Sequence, residues 1–364
     1  MSNARKLADN LPSEGTLTNR SLIINGNMAV SQRGSVAALQ TGYGACDRFR
    51  LASNSAARFD TSQSTDVPSG QGFSKSLKLD CSTADTSLAA GDYYLINHMI
   101  EGQNLQQLLY GSSSAKQCTL SFWVKSPKTG THNLEIESVD GGVFNIHQYT
   151  IASANTWQNV KITFDGYQTT AIANDNTSGL IVNWWLLAGT TFSGGSYSAN
   201  TWSSTNANRA VGQVNVADST SNNFYLTGVQ LEVGAQSTPF EHEPFSATLR
   251  KCQRYFCRTY QYGTATGTAD HSTGCISTSL SGSQAYAAAG NFNFPVSMRA
   301  APTVVAYSTY NANTTGKLTA DATDGNGAAA FISLDRCFMY RSNDSSGTGA
   351  NVFMRSHATA SAEL

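Results

Sequence analysis

The amino-acid sequence predicts an all-β protein, with two β-sandwich domains of the jelly-roll type joined by a short helix. The first observation is a series of short runs rich in Val, Ile, Phe, Trp and Thr, separated by Gly, Asn, Ser or Asp, which is typical of antiparallel strands. The second is the alternation of apolar residues in 120–124 and 160–164, which places one side of each strand against a core. The third is a change after Pro244 from a strand-like to a helix-like period.

The first predicted domain covers residues 19–244. We assign strands to seven runs within it, which are 21–24, 76–79, 119–125, 133–137, 159–164, 180–187 and 224–233. Residues 98–109 predict a short helix through Leu105, Leu108 and Leu109. Because a domain of this length holds many antiparallel strands, the pattern favours a jelly-roll sandwich.

A short linker helix is predicted over residues 245–257. Pro239 and Pro244 prevent the preceding strand from continuing as a regular ladder. Four apolar residues then recur at helical spacing and form one stripe, namely Phe245, Leu249, Cys252 and Phe256. The helix therefore separates the first domain from a second one.

The second predicted domain covers residues 258–364 and is smaller. Its strand candidates are 275–280, 292–294, 303–307, 329–334 and 352–355. Two long stretches rich in Gly, Ser, Thr and Asn, 263–274 and 311–327, are predicted as surface loops. Because the chain has no coiled-coil heptads and no collagen-like repeat, any oligomer would have to form through packed β domains.

The N-terminal residues 1–18 are polar, with Ala4, Leu7, Ala8 and Leu11 at helical spacing before Pro12. Two interpretations stay open for this segment. It is either a frayed terminus or a segment that attaches the chain to another protein or to further copies of itself.

Charged residues make up 13% of the 364-residue chain, about half of the usual ~25%. This composition suits an all-β protein with many polar turns, and it equally suits a surface that binds uncharged polar ligands. The net charge of −1 and the scattered basic residues argue against a nucleic-acid partner. No run approaches the roughly 20 apolar residues of a membrane span, and no signal peptide opens the chain, so we expect cytoplasmic synthesis and no membrane insertion.

The seven cysteines are irregularly spaced and include no CxxC motif, so they predict neither a zinc site nor a disulfide framework. Cys118 and Cys252 lie in apolar runs and are interpreted as small buried side chains. The six histidines are dispersed. We therefore expect no metal and no cofactor.

Carbohydrate sites combine aromatic rings, on which the C–H faces of sugars stack, with polar groups that bind hydroxyls. The stretch 183–202 contains both. Together with one further aromatic pair it supplies the glycan-binding candidates, which are Trp202, Tyr197, Trp184, Trp185, Tyr93 and Tyr94. Each has a structural alternative as a packing residue. Trp123 and Trp157 lie in strand-like runs and are interpreted as core or near-core residues.

Catalysis is not indicated. Glycan hydrolysis needs two carboxylates about 5–10 Å apart, and Glu135 and Glu137 share a strand face if their strand is regular. Two acids on one strand face are more typical of a solvated surface. No GxSxG motif follows a strand in a serine-hydrolase context, and we therefore expect no enzyme and no catalytic residues.

Several segments resemble, in the same order, a group of virion proteins of tailed bacteriophages. The fullest resemblance is FYLTGVQLEVGAQSTPFEHEPFSATLRKCQRYF at 224–256. Others are NRSLIINGNMAVSQRG at 19–34, HMIEGQNLQQLLYG at 98–111, LSFWVKSPKTGTHNLEI at 120–136, NTWQNVKITF at 155–164 and NFPVSMRAAPTV at 293–304. The chain thus resembles tail-fibre or appendage proteins that carry a jelly-roll domain similar to carbohydrate-binding modules.

This resemblance implies a structural protein of the phage virion, located in a tail fibre or another appendage. It further implies a homotrimer, attached to other virion proteins through residues 1–18, which engages a host-surface polysaccharide without cleaving it. Residues 258–364 would then be the receptor-binding tip. An alternative is a structural adaptor or capsid-attached decoration protein that binds other virion proteins. A glycan depolymerase is a third and weaker alternative.

Overall fold

The computed structural model describes residues 20–280, 286–320, 323–342 and 352–364. The chain divides into two compact units, Met1–Ser31 with Ser35–Phe245 and Gln32–Gly34 with Ser246–Leu364. The predicted attachment segment 1–18 lies outside the described residues.

The first unit is a sandwich of two antiparallel sheets, with strands numbered in chain order. In order across the six-stranded sheet lie β1 (Val36–Leu39), β4 (Arg58–Ser64), β5 (Ser76–Thr83), β13 (Asn223–Val233), β7 (Cys118–Lys125) and β10 (Gln158–Phe164). The seven-stranded sheet contains β12 (Trp202–Ser203), β9 (Val143–Ile151), β8 (Gly130–Ser138), β11 (Ser178–Ala188), β6 (Tyr93–Glu101), β3 (Arg50–Ser53) and β2 (Gly42–Tyr43).

The core of the first unit lies between the inward faces of these sheets. Phe122, Trp184 and Phe224 are each 0% exposed, and each such buried side chain contributes about 1.5–3 kcal/mol of transfer free energy. Phe122 and Trp184 meet edge-on, with ring centroids 5.7 Å apart. In β7, buried Leu120, Phe122 and Val124 alternate with the half-buried Trp123, so the predicted alternation is confirmed.

Six of the seven strand predictions in this unit are confirmed, and they correspond to β5, β7, β8, β10, β11 and β13. Residues 21–24 are not a strand. The chain turns there, because Asn25 adopts a left-handed conformation (φ 63°) and Gly26 approaches the carbonyl of Val229 so closely that a Cβ would not fit.

The short helix predicted within 98–109 is found only as 3-10 turns in the second half of this range. β6 runs on to Glu101, and two 3-10 turns follow, Gly102–Asn104 and Gln106–Leu108. His98 and Ile100 face the core from this strand and are buried. The short-range leucine spacing therefore reflects the two turns that follow the strand.

The second unit contains one curled antiparallel sheet in its described residues, and not the second sandwich that the sequence predicted. In order lie β14 (Phe256–Arg258), β21 (Val352–Ser361), β18 (Lys317–Ala320), β19 (Thr323–Ala330), β20 (Arg336–Ser342) and β16 (Tyr286–Asn293). β15 (Ile276–Leu280) and β17 (Thr303–Tyr307) also pair with β21. The long strand β21 thus holds this sheet together.

Small and flexible apolar side chains fill the core of the second unit, including Met298, Leu318, Met339 and Met354. The predicted strand 329–334 fails after Ala330, where β19 ends. Phe331 has a left-handed φ of 51° and is 86% exposed, because the chain turns there instead of continuing the ladder.

The predicted linker helix is shorter than expected and spans Phe245–Gln253. Thr248 and Cys252 are its buried residues, whereas Phe245 is 44% exposed, so only part of the apolar stripe is buried. Phe256 is buried from β14, after the helix has ended. Two further short helical turns, Thr190–Ser193 and Asn206–Asn208, lie in the first unit.

Candidate functional site

Three of the six predicted glycan-binding residues are buried. Trp184 and Tyr94 point into the core and are each 0% exposed, and Trp185 is 1% exposed. Neighbouring strand residues point to opposite faces, so Trp185 does lie on the outer side of its sheet. Its ring is covered there by Phe192, with ring centroids 5.4 Å apart. A buried ring offers no face to a sugar, and these three residues are therefore packing residues.

The other three candidates are partly exposed but occupied by neighbouring groups. The indole of Trp202 donates to the carbonyl of Asp165 at 2.9 Å and packs against Tyr167 at 5.0 Å between ring centroids. Tyr197 is 37% exposed, and its hydroxyl accepts the backbone N–H of Gln148 at 3.1 Å. Tyr93 lies edge-on to a phenylalanine ring in the segment that follows β11.

The outer face of the seven-stranded sheet carries a row of polar side chains. Arg50, Asn97, Asn183 and Glu135 lie directly opposite one another across β3, β6, β11 and β8. The amide of Asn97 donates to Asn183, and the amide of Asn183 donates to Glu135 Oε1 at 2.7 Å. These buried groups satisfy one another, as buried polar groups generally do.

Residues 189–215, which we call the covering segment, lie over this polar row. Arg209 Nε donates to Glu135 Oε2 at 2.8 Å, and its Nη2 donates to Glu137 Oε2 at 3.0 Å. The guanidinium also lies 4.7 Å above the ring of Phe144. The Glu135 side chain is 0% exposed. Burial raises the pKa of Glu137, while the Arg209 charge opposes that rise. The carboxylate pair considered for hydrolysis is therefore engaged in a largely buried salt bridge.

A cleft opens on the outer face of the six-stranded sheet, with a volume of about 400 Å³. Its floor follows from strand register. Trp123 lies between Thr227 of β13 and Asn159 of β10, and Ser121 lies between Gln230 and Lys161 in the next outward row. Its walls are formed by residues 70–73 and 237–242.

The wall at 237–242 is fixed by polar side chains on the outward face of β13. The backbone N–H of Glu241 donates to Gln230 Oε1 at 2.8 Å, and that of Thr238 donates to Glu232 Oε2 at 2.9 Å. Gln230 is 0% exposed and Glu232 3% exposed. The final strand and its proline-containing exit, prominent in the sequence, thus position one side of the cleft.

Three rings in the walls form a compact cluster. The ring centroids of Phe73 and Phe240 are 5.0 Å apart, those of Phe240 and His242 are 5.0 Å apart, and those of Phe73 and His242 are 5.3 Å apart. Edge-on aromatic contacts of this kind contribute about 0.5–1.5 kcal/mol each beyond burial. Gly228, at φ 61°, lets Phe73 and Trp123 approach the floor, because a Cβ there would stand 2.6 Å and 2.9 Å from their rings.

Aromatic and cationic groups extend this face beyond the cleft. Tyr225 lies opposite Lys125, whose ammonium stands 4.4 Å from the centre of its ring. The indole of Trp157 donates to Asp66 at 2.9 Å, and the same carboxylate pairs with Lys125. Since Lys125 and Trp123 are two residues apart in one strand, their side chains project from the same face.

The sequence did not indicate the residues of this cleft, and Trp123 was interpreted as a core or near-core residue. The signal was present, because the alternation of Leu120, Phe122 and Val124 puts Trp123 on the opposite side of β7. Phe73, Phe240 and His242 have no local signal that links them.

Within the described ranges, no group of three or more His, Cys, Asp and Glu side chains is arranged to hold a metal ion. The same part of the chain contains no helix long and apolar enough to cross a membrane.

The seven cysteines are free thiols. Cys118 and Cys252 are buried as predicted, and burial raises the pKa of the Cys118 thiol to about 12.

No protein-family model matches the sequence, and no curated protein has a matching sequence. Three solved structures are distantly similar. The enzymatically active domain of tailspike protein 4 of bacteriophage CBA120 is 14% identical, over 51% of this chain and 19% of that one, with a TM-score of 0.29. A CBM4 structure is 15% identical, over 58% of this chain and 99% of that one, with a TM-score of 0.29.

The third is the family 11 carbohydrate-binding module of the Clostridium thermocellum cellulase Lic26A-Cel5E. It is 16% identical, over 58% of this chain and 100% of that one, with a TM-score of 0.27. The chain is thus distantly similar in structure to jelly-roll carbohydrate-binding modules and to part of a phage tailspike.

Proposed function

We propose that this chain is a non-catalytic glycan-binding protein of a bacteriophage virion, and that a host-surface polysaccharide binds in the cleft around Trp123. The observation that carries the proposal is the open cleft itself, in which four aromatic rings stand beside polar side chains. Sugars present C–H faces to aromatic rings and hydroxyls to directional donors and acceptors. The cleft supplies both on one surface.

The site is built before a ligand arrives. Gln230 and Glu232 hold the wall at 237–242 through backbone hydrogen bonds, and the wall rings pack on one another. A site of this kind loses little conformational entropy on binding. Ser121, Asn159 and Gln71 line the same space and offer hydroxyl and amide groups to sugar hydroxyls.

The placement in a virion rests on the sequence resemblance to phage fibre and appendage proteins. That resemblance also supports a homotrimer, attachment through residues 1–18 and a distal position for residues 258–364. Weak single sites would gain from trimerisation, since linked sites raise avidity by ~10²–10⁴.

A binding assay against immobilised bacterial surface polysaccharides, with released reducing ends measured in parallel, tests the proposal. Wild type should bind without releasing sugar. Trp123→Ala should weaken binding by about two- to tenfold, since one stacking contact is worth about 0.5–1.5 kcal/mol beyond burial. Val139→Ala, at a first-unit position that is 40% exposed and does not line the cleft, is the control and should bind as wild type. Unchanged binding by Trp123→Ala would overturn the assignment of the cleft.

One observation favours the alternative of a structural adaptor. The loop after β19 exposes three large apolar side chains, with Phe331 86%, Ile332 39% and Leu334 46% exposed. Exposed apolar groups that are close in sequence commonly mark a surface that binds protein. Light scattering on the full chain and on a Phe331→Ser, Leu334→Ser variant tests this function. A smaller assembly formed by the variant would support it, and identical masses would oppose it.

A further inference from the structure

We infer that the polysaccharide bound in the cleft is acidic and carries carboxylates, and that Lys161 is the residue that selects for that charge. This inference rests on the proposed function of the cleft and adds the chemical class of its ligand. The observation that carries it is a lysine that, among the described residues, has no ion-pair partner and lines a cleft to which those residues contribute no carboxylate.

Lys161 is exposed on β10 and lines the cleft beside Trp123 and Asn159. Among the described residues, no hydrogen-bond or ion-pair partner is found for its ammonium. Lys161 is therefore available to a ligand that carries the opposite charge.

The other two lysines on this face are neutralised by neighbours. Lys78 Nζ lies 2.7 Å from Asp80, and Lys125 pairs with Asp66. The same sheet thus supplies an acidic partner for each lysine outside the cleft and leaves the one inside it open. A carboxylate on the ligand would give Lys161 the acidic partner that Lys78 and Lys125 already have.

The acidic residues nearest the cleft wall are used by the wall itself. Glu232 is 3% exposed, accepts from Thr238 and stands 4.0 Å from Arg20. Glu241 accepts the backbone N–H of Arg20 at 2.8 Å. Both carboxylates therefore accept hydrogen bonds from the protein, and they do not line the space where a ligand would lie.

Reach also fits. Trp123 and Ser121 are two residues apart in β7, about 7 Å along the strand, and Lys161 lies opposite Ser121. The four-carbon stem of lysine lets its ammonium move over several ångströms. A sugar stacked on Trp123 can therefore place a carboxylate against Lys161.

A lysine on an edge strand also discourages sheet-to-sheet pairing, and β10 is the last strand of its sheet. Reversing the charge at position 161 separates this structural role from ligand selection. Glu at position 161 would protect the edge equally well, since any charge there opposes pairing, but it would repel an acidic glycan.

The experiment uses the full chain and a panel of uronic-acid-containing bacterial polysaccharides, each tested as extracted and after chemical reduction of its carboxyl groups to alcohols. Wild type should bind at least one acidic polysaccharide. Its affinity should fall by about tenfold or more when the carboxyl groups are reduced. Its affinity for the acidic form should also fall as the salt concentration is raised. Lys161→Gln should lose the same factor on the acidic form and nothing on the reduced form. Lys161→Glu should prefer the reduced form.

Arg250→Gln removes one positive charge from an exposed helix position in the second unit and should bind as wild type. If carboxyl reduction and Lys161→Gln leave binding intact while Trp123→Ala weakens it, the ligand is neutral and the proposed glycan function survives. If Trp123→Ala also binds normally, or if no polysaccharide binds, both the function and its ligand class are overturned.

Discussion

The outer faces of the two sheets in the first unit are used in opposite ways. On the seven-stranded sheet the covering segment seals a row of polar groups, and Glu135 is completely buried under Arg209. On the six-stranded sheet the outward Trp123 and Lys161 line an open cleft. Both faces contain aromatic and charged residues, so composition does not distinguish them.

The difference is whether the chain satisfies its own polar groups. On the sealed face the side-chain amides of Asn97 and Asn183 and the guanidinium of Arg209 donate to protein acceptors, and these contacts fix the covering segment. On the open face a cation and several rings have solvent on one side, and binding energy remains for a ligand. The two outer faces therefore differ in how far the chain covers them, and the proposed binding site lies on the face that is less covered.

The largest expected effect is on the sealed face. Arg209→Ala leaves Glu135 buried without its cation, and breaking such a pair costs about 3–5 kcal/mol. All five tryptophans lie in the first unit, so urea unfolding followed by tryptophan fluorescence measures its free energy of unfolding.

Two variants sharpen this result. Lys78→Ala removes an exposed pair with side chains 28% and 40% exposed and should cost no more than about 1 kcal/mol. Replacing Glu135 and Arg209 together by Met removes both charges and should recover most of the loss. Equal losses for Arg209→Ala and Lys78→Ala would contradict the contrast between the faces.

The inward faces differ as well, and this difference predicts acid sensitivity. His98, His132 and His147 all come from the seven-stranded sheet, whereas the strands of the other sheet contain no histidine. Burial lowers the pKa of His132 to about 4 and lowers the pKa values of His98 and His147. His98 Nε2 accepts the N–H of Ile24 at 3.3 Å, a bond that requires this nitrogen to be unprotonated.

Above pH ~6.5 these histidines are neutral in the folded and the unfolded states. Below it the unfolded chain binds protons that the folded chain excludes, so stability falls as the pH falls, down to the folded pKa. For His132 the loss between pH 6.5 and pH 5 is about 2 kcal/mol. Urea unfolding at both pH values measures it.

His132→Phe should flatten the pH dependence, and His271→Gln, an exposed position in the second unit, should leave it unchanged. A free energy of unfolding that is the same at both pH values would show that the folded chain binds as many protons as the unfolded chain, and it would contradict the prediction.

The strands that the sequence predicted are those whose periodicity is local and apolar. Residues 119–125 and 159–164 alternate cleanly and became β7 and β10. β4 was missed because its residues, Arg58–Ser64, are mostly polar, and it is defined by pairing with β5. Residues 329–334 looked like a strand because they are apolar, yet Phe331 is exposed in a turn.

The site was harder to predict than the fold. Trp123 had a usable signal in the alternation around it, but its partners Phe73 and Phe240 are about 50 and 117 residues away in sequence and meet it only through long-range strand pairing. Trp184 and Trp185 were predicted as glycan-binding candidates because they form an aromatic pair. A residue on either face of a central strand can, however, be buried. The covering segment buries Trp185, but its sequence has no periodicity from which this role could be predicted.

The last prediction on stability tests how the open face is shaped. Gly228 lies at a register shift between β13 and β7 with φ 61°, where a residue with a side chain costs about 1–2 kcal/mol. Gly228→Ala should lower the free energy of unfolding by at least that amount, because the new Cβ also meets the rings of Phe73 and Trp123. It should also weaken glycan binding, because the new methyl group displaces the rings of Phe73 and Trp123.

Gly142→Ala separates these two consequences. Gly142 has a φ of 60°, and a Cβ there would meet nothing within 4 Å, so this variant carries the same backbone cost without a ring contact. It should lose only the backbone cost of about 1–2 kcal/mol and keep full binding. If both variants bind equally well, the rings over Gly228 do not shape the site; if only Gly228→Ala loses binding, the open face depends on a glycine that lets two aromatic rings approach the sheet.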